Sequence, residues 1–204
     1  MRNKKLNIIV PCFNEEEALP ETIRILSNEL NTLSESNLID LELSKILFVD
    51  DGSNDRTWEI LQKESRANNL VSAIKLTRNF GHQNALLAGL IYSQKVVDCA
   101  ISIDADLQQD YMIIESMVEK YRNGIELVYA VRNKRTGERK SKRIMSNLYY
   151  KILHIMGVNI VANHADFRLH GKKSLNALLD FKEHQLFLRG IFPSMGFNTE
   201  TIEF

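Results

Sequence analysis

Apolar positions in the first 131 residues fall into two alternating kinds of segment. Short β-rich runs occupy residues 6–10 (closed by Pro11), 46–49, 71–76, 97–103 and 127–131. Between them, residues 19–33, 57–67, 84–94 and 112–122 carry apolar side chains at helical spacing. Strands alternating with helices predict crossover units, and so a mainly parallel sheet with helices on both faces, an α/β architecture. Residues 28–44 are polar and read as a helix end plus a surface loop. After residue 131 the alternation stops. The run NKRTGERKSKR at 133–143 holds six basic residues against one acidic. It precedes a helical pattern with Ile144, Met145, Leu148, Tyr149, Ile152, Leu153 and Met156 on one broad face. The chain divides into residues 1–131 and 132–204, read as two halves of one domain.

Composition narrows the class. The 204 residues carry no net formal charge and 44% are apolar, ample for a packed core. Neutral balance argues against a nucleic-acid binder working through bulk charge. The two cysteines, Cys12 and Cys99, make neither a disulfide framework nor a zinc site, which favours a reducing, cytoplasmic setting. The apolar stretch near the N-terminus is too short for a signal peptide. Nowhere do roughly 18 apolar residues run together, as a membrane span requires.

Each of the five strands leads into a polar, turn-rich segment: PCFNEE, DDGSND, TRNFGHQN, DADLQQD and RNKRTGE. In an open parallel sheet, ligands sit outside the carboxyl ends of the strands, so these segments should meet at one crevice. Asp104 and Asp106 lie two apart, which puts them on one side if extended geometry persists, with Gln108 continuing it. Adjacent carboxylates repel, and a divalent cation relieves the conflict. Mg²⁺ and Mn²⁺ prefer oxygen donors and are often held by one or two carboxylates plus substrate phosphates. Capping of the helix near Tyr111 by Asp106 or Asp110 accounts for one aspartate but not the pair. Neither a P-loop nor a G-x-G-x-x-G follows the first strand, which leaves a nucleotide held by side chains and a metal.

The segments VPCFNEE (10–16), VDDGSNDRT (49–57), RNFGHQNALLAGL (78–90) and DADLQ (104–108) resemble the family-two glycosyltransferases with the GT-A fold. With ADFRL at 165–169, the set resembles the polyprenyl-phosphate group, which includes dolichol-phosphate mannose synthase and the bactoprenol glucosyltransferases. That resemblance implies nucleotide-sugar contacts at Pro11, Phe13, Glu15, Val49, Asp51 and Ala105, with Arg132 and Arg143 on the phosphates. It implies metal ligation by Asp104, Asp106 and Gln108. It places Asp166 where a catalytic base stands, with Arg168 and Arg189 on the acceptor side.

Three features depart from the family pattern. Gln109-Asp110-Tyr111-Met112 replaces the usual D-P-P-E. His82 stands where many relatives have lysine. The chain ends at Phe204, where many relatives continue into membrane segments, which implies a shortened chain or an anchor supplied elsewhere.

The implied reaction is inverting transfer from a UDP- or GDP-sugar to a polyprenyl phosphate at the cytoplasmic face of a membrane. For Asp166, roles as a base, as an orienter of the acceptor or an arginine, or as a partner of Arg168 all remain open. The basic run reads either as a solvated loop or as a surface facing anionic headgroups, and the segment after it as core or as an interfacial helix. Rival readings are a saccharide-building transferase, a non-catalytic nucleotide-sugar-binding module and a nucleotidyltransferase. Oligomeric state is left open, a homo-oligomer included. The remaining histidines (154, 164, 170, 184) and Trp58 read as structural or surface residues.

Overall fold

The structure, a computed structural model, describes residues 3–131, 164–181 and 187–204. Arg132, Arg143, the basic run 133–143, the segment 144–156, His154 and His184 lie outside the described residues.

Seven strands form one sheet in the order β3-β2-β1-β4-β6-β5-β7. They are β1 (Leu6–Cys12), β2 (Lys45–Asp50), β3 (Val71–Lys75), β4 (Cys99–Ser102), β5 (Leu127–Val131), β6 (His164–Gly171) and β7 (Thr199–Glu203). All pairings are parallel except those of β6, which runs against both β4 and β5. The helices are α1 (Leu19–Glu35), α2 (Thr57–Ala67), α3 (His82–Val96), α4 (Ile114–Arg122), α5 (Lys172–Leu178) and α6 (Leu188–Ser194).

Side-chain alternation explains the two layers. Leu6, Ile8 and Val10 of β1 pack with α1, α2 and α4, whereas Ile9 packs with α3, α5 and α6. Strands covered on both faces read as nearly continuous apolar runs. The same alternation in β6 sends Phe167 and Leu169 to the first layer. Asp166, Arg168 and His170 therefore turn to the second, where His170 packs at a tilt of 48° against Phe192 with ring centroids 4.2 Å apart.

Several boundaries differ from the sequence pattern, each for a local reason. β1 passes through Pro11 to Cys12, pairing Pro11 with Val49. Ile9 C=O accepts from Ile103 and Cys12 C=O from Asp51, so Pro11 turns toward β4 beyond the last paired residues, Ile9 and Ser102. No ladder bond is lost there. β4 is shorter than expected because Val97 and Asp98 serve its edges: Val97 N–H closes α3, and the Asp98 carboxylate accepts from Lys5 N–H at 2.9 Å. The fourth helix opens with a 3₁₀ turn over Tyr111–Ile113, capped by Asp110, whose Oδ1 accepts from Met112 N–H at 3.1 Å. β6 and β7 were not legible as strands, yet they join the sheet that the first half begins.

Candidate active site

A cavity of about 320 Å³ opens at the carboxyl ends of β1, β2 and β4. Four of the five predicted loops reach it: Pro11, Cys12, Phe13 and Glu15 from the first, Asp51 from the second, Asn79, Gly81 and His82 from the third, followed by Ala85 of α3, and Asp104, Ala105 and Asp106 from the fourth. The loops are tied to one another. Glu15 N–H donates to Thr57 Oγ1 at 2.8 Å and Asn54 N–H to Asn14 Oδ1 at 2.9 Å. Thr22 of α1 donates to the Ala105 carbonyl at 2.6 Å.

Of the residues expected to meet a nucleotide, Pro11, Phe13, Glu15, Asp51 and Ala105 are on the wall. Val49 is fully buried in the α3-side core, beneath it. The Asp51 carboxylate is buried and engaged: Oδ1 accepts from Phe80 N–H at 2.7 Å and Oδ2 from Gly81 N–H at 2.8 Å.

Asp104 and Asp106 both line the cavity, but not through continued strand geometry. β4 ends at Ser102, Leu107 N–H returns to Asp104 C=O at 3.3 Å, and Leu107 takes φ 46°. This turn leaves Gln108 exposed and buries Gln109. The side-chain amide that engages Asp104 is that of Gln109, whereas Gln108 meets Asp106 through its backbone N–H, which donates to Asp106 Oδ1 at 3.2 Å. The Gln109 Nε2 donates to Asp104 Oδ2 and its Oε1 accepts from Asp104 N–H at 3.1 Å. No sequence periodicity distinguished these adjacent glutamines.

Among the described residues the wall is acidic, with no lysine or arginine on it. Burial raises the Asp104 carboxyl, with Asp166 and Asp106 adding to the rise while His82 and Gln109 oppose it. Burial also raises Glu15, helped by Asp106, Asp55 and Asp104. Two oxygen-donor side chains that no lysine or arginine balances among the described wall residues fit a hard divalent ion. Among the described residues no third His, Cys, Asp or Glu completes a ligand set, which matches sites where substrate phosphates supply the rest.

Asp166 is reached through His82. The His82 Nε2 lies 3.8 Å from Asp104 Oδ1 and 3.5 Å from Asp166 Oδ2, so one imidazole spans carboxylates from the turn after β4 and from β6. Hydrogen bonding to Asp166 raises the His82 value, against burial. Asp166 itself is gripped by Arg168 Nη2 at 2.7 Å and by Arg189 Nε and Nη2 at 3.0 and 2.8 Å. Burial alone would raise its carboxyl. Hydrogen bonds from His82 and Arg189 and the charges of both arginines outweigh burial and hold it far below the usual carboxylate range.

Arg168, expected on the acceptor side, is 1% exposed and cannot meet an acceptor. Its Nε and Nη1 have no hydrogen-bond partner among the described residues, and its guanidinium stands 5.5 Å from the Tyr129 ring centroid. It is a buried counter-ion to Asp166. Arg189, with its side chain 45% exposed, is the accessible arginine of the pair.

An open, mostly parallel sheet with acidic residues gathered at its carboxyl edge is the GT-A form of the α/β fold. The chain belongs to glycosyl transferase family 2, whose model matches residues 7–186. It is 48% identical over 197 residues to the uncharacterized glycosyltransferase YkoT of Bacillus subtilis (strain 168), covering 97% of this chain and 58% of that protein. It is 33% identical over 201 residues to the bactoprenol glucosyl transferase of Shigella phage SfX, covering 98% and 63%. The chain thus spans about three-fifths of the length of the curated relatives it matches. Among solved structures it is similar to the mannosyltransferase PcManGT from Pyrobaculum calidifontis in complex with GDP-Man and Mn²⁺. That likeness has a TM-score of 0.65 at 15% identity, over 98% of this chain and 55% of that one. It is also similar to the glucosyl-3-phosphoglycerate synthase of Mycobacterium tuberculosis with Mn²⁺, UDP-Glc and phosphoglyceric acid, with a TM-score of 0.58 at 17% identity over 98% and 70%.

Proposed function

We propose that this chain is the catalytic domain of an inverting glycosyltransferase that moves a sugar from a UDP- or GDP-sugar to a polyprenyl phosphate. Asp104 and Asp106 would hold Mg²⁺ or Mn²⁺, with Gln109 keeping Asp104 in place. Such a cation, when bound, offsets the charge of a departing nucleoside diphosphate. Pro11, Phe13, Glu15 and Ala105 form the wall against which the nucleotide would lie.

One observation favours a phosphate acceptor over a hydroxyl: the ion pairing of Asp166 with two arginines. A hydroxyl nucleophile needs a base whose pKa lies near the working pH. Two arginines and His82 leave Asp166 too little proton affinity for that task. A phosphate monoester has its second pKa near about 6 and needs no base at neutral pH. Asp166 then orients Arg189 and His82, and the exposed Arg189 faces an anionic acceptor.

The bactoprenol glucosyl transferase relatives support a lipid carrier, and the solved neighbours with Mn²⁺ support a divalent ion. Among the described residues no helix is long and apolar enough to cross a membrane. Transfer to a saccharide acceptor is the second reading.

The test supplies radiolabelled UDP- and GDP-sugars with Mn²⁺ to the protein, with polyprenyl phosphate in one arm and saccharide acceptors in the other. Label entering the organic phase supports the lipid acceptor. Label transferred only to saccharide overturns it.

A further inference from the structure

We propose that Gln109 is a positioning residue whose side-chain amide occupies one oxygen of Asp104, leaves the other for a cation, and so favours Mg²⁺ and Mn²⁺ over Ca²⁺. This rests on the metal-holding role proposed above for Asp104 and Asp106.

The turn after β4 makes the grip. Left-handed Leu107, at φ 46°, precedes a Gln109 that is 3% exposed. The Gln109 amide meets Asp104 twice. Its Oε1 accepts from Asp104 N–H at 3.1 Å, and its Nε2 donates to Asp104 Oδ2. A backbone N–H can only donate, so it fixes which end of the amide is oxygen and turns the NH₂ group onto the carboxylate. One neutral side chain thus ties the backbone and the carboxylate of Asp104 together, which sets the rotation of the acid group. The other oxygen, Oδ1, accepts no hydrogen bond among the described residues, and His82 Nε2 stands 3.8 Å from it.

Asp106 is divided in the same way. Its Oδ1 accepts from Gln108 N–H at 3.2 Å, and its Oδ2 accepts from none of the described residues. Each aspartate therefore keeps one unengaged oxygen. Two single-oxygen donors leave the rest of an octahedron to diphosphate oxygens and water, which is how Mg²⁺ is commonly held. Ca²⁺ takes more oxygens and uses carboxylates that chelate through both. An oxygen already bonded to an N–H donor is the weaker half of such a chelate, because the donor draws on its lone pairs. The residue type matters here. An aspartate, which the family pattern has at this place, could not donate to Asp104 and would add charge to an acidic wall; glutamine supplies the donor without the charge.

The test titrates Mg²⁺, Mn²⁺ and Ca²⁺ into the wild type and Gln109→Met, with UDP or GDP present, and reads each Kd by calorimetry against the nucleotide alone. Methionine keeps the length of the side chain and removes both hydrogen bonds. The wild type should bind Mg²⁺ and Mn²⁺ at least about tenfold more tightly than Ca²⁺. In Gln109→Met the Kd of Mg²⁺ and Mn²⁺ should rise about tenfold or more, while that of Ca²⁺ changes by less than about threefold. A wild type that binds Ca²⁺ as tightly as Mg²⁺ would overturn the proposal. So would a variant that weakens all three cations equally, or none. A wild type that binds no cation would overturn it together with the metal role of the aspartates. If the preference shifts as expected in a protein that transfers no sugar, the proposal stands and the reaction proposed above falls.

Hydrogen exchange by NMR tests the grip without any variant. In the wild type the Gln109 side-chain NH₂ protons should exchange about tenfold or more slowly than those of the exposed Gln108. Equal rates would show that no bond to Asp104 holds the amide, and would overturn the proposal whether or not Gln109→Met folds.

Discussion

Arg189 holds Asp166 with two hydrogen bonds, Nε to Oδ1 at 3.0 Å and Nη2 to Oδ2 at 2.8 Å, while buried Arg168 takes Oδ1 from within the sheet at 2.7 Å. The two arginines differ in what they can do. Arg168 has almost no exposure and stays with Asp166. Arg189 keeps nearly half of its side chain exposed while it holds the carboxylate. Losing Asp166 would leave a buried guanidinium without its partner, and breaking a buried pair from one side is strongly destabilising.

The pH profile separates an orienting Asp166 from a basic one. Its depressed carboxyl is ionised throughout the working range, so its protonation contributes no acid limb between pH 5 and 8. On the proposed reaction the acceptor phosphate titrates there, near about pH 6, and a second limb above it belongs to His82, which Asp166 raises and which should move down in Asp166→Asn. Asp166→Asn should lower kcat by about a hundredfold and leave the lower limb where it was. A lower limb that disappears in the variant would make Asp166 the titrating base.

Glu29 predicts a stability change of definite sign. Burial on α1, with a smaller push from Glu115, raises its carboxyl from 4.5 to about 7. A carboxyl raised by folding favours the folded state where it can be protonated. That contribution is complete below about pH 4.5 and is lost as pH rises through about 7. Wild-type Tm should therefore fall between pH 5 and pH 8, and Glu29→Gln should flatten the trend. At pH 8 the variant should be more stable by about 1–2 kcal/mol, measured by thermal and denaturant unfolding at both pH values.

At Gly89 helix α3 lies close against the sheet. A Cβ there would lie 2.4 Å from Ile9 Cγ2 and 3.2 Å from Val49 Cγ2, both under the cavity floor. Alanine in a helix normally gains about 1 kcal/mol over glycine. Overpacking a filled core costs about 1–3 kcal/mol, and here that effect should win. Gly89→Ala should lower the denaturant midpoint with the m-value unchanged; a higher midpoint would show that α3 can move away.

Much of the first half was legible because its physics is local. Helix α2 and strand β5 fall where periodicity put them, since their apolar spacing and flanking turns agree. Pro11 misled because its tolerance depends on where the neighbouring β4 stops, which the local sequence does not carry. The second half was less legible for the same reason. β6 alternates Asp166, Arg168 and His170 with apolar residues, and reads as a strand only once its charges have partners on α3 and α6. At the site, the motif spacing located Asp104, Asp106 and Asp166 but not the contacts between them. The inward Gln109 depends on a left-handed Leu107, and the His82 bridge depends on β6 lying beside β4. Both are long-range or conformational facts.

Calorimetric titration of UDP- and GDP-sugars into the wild type and Asp106→Asn, each with and without Mn²⁺, bears on the aspartate pair itself. One nucleotide sugar should bind the wild type only with Mn²⁺, and Asp106→Asn should weaken that binding by about tenfold to a hundredfold. Binding that is indifferent to both Mn²⁺ and the substitution would show that Asp104 and Asp106 hold no metal-bound donor.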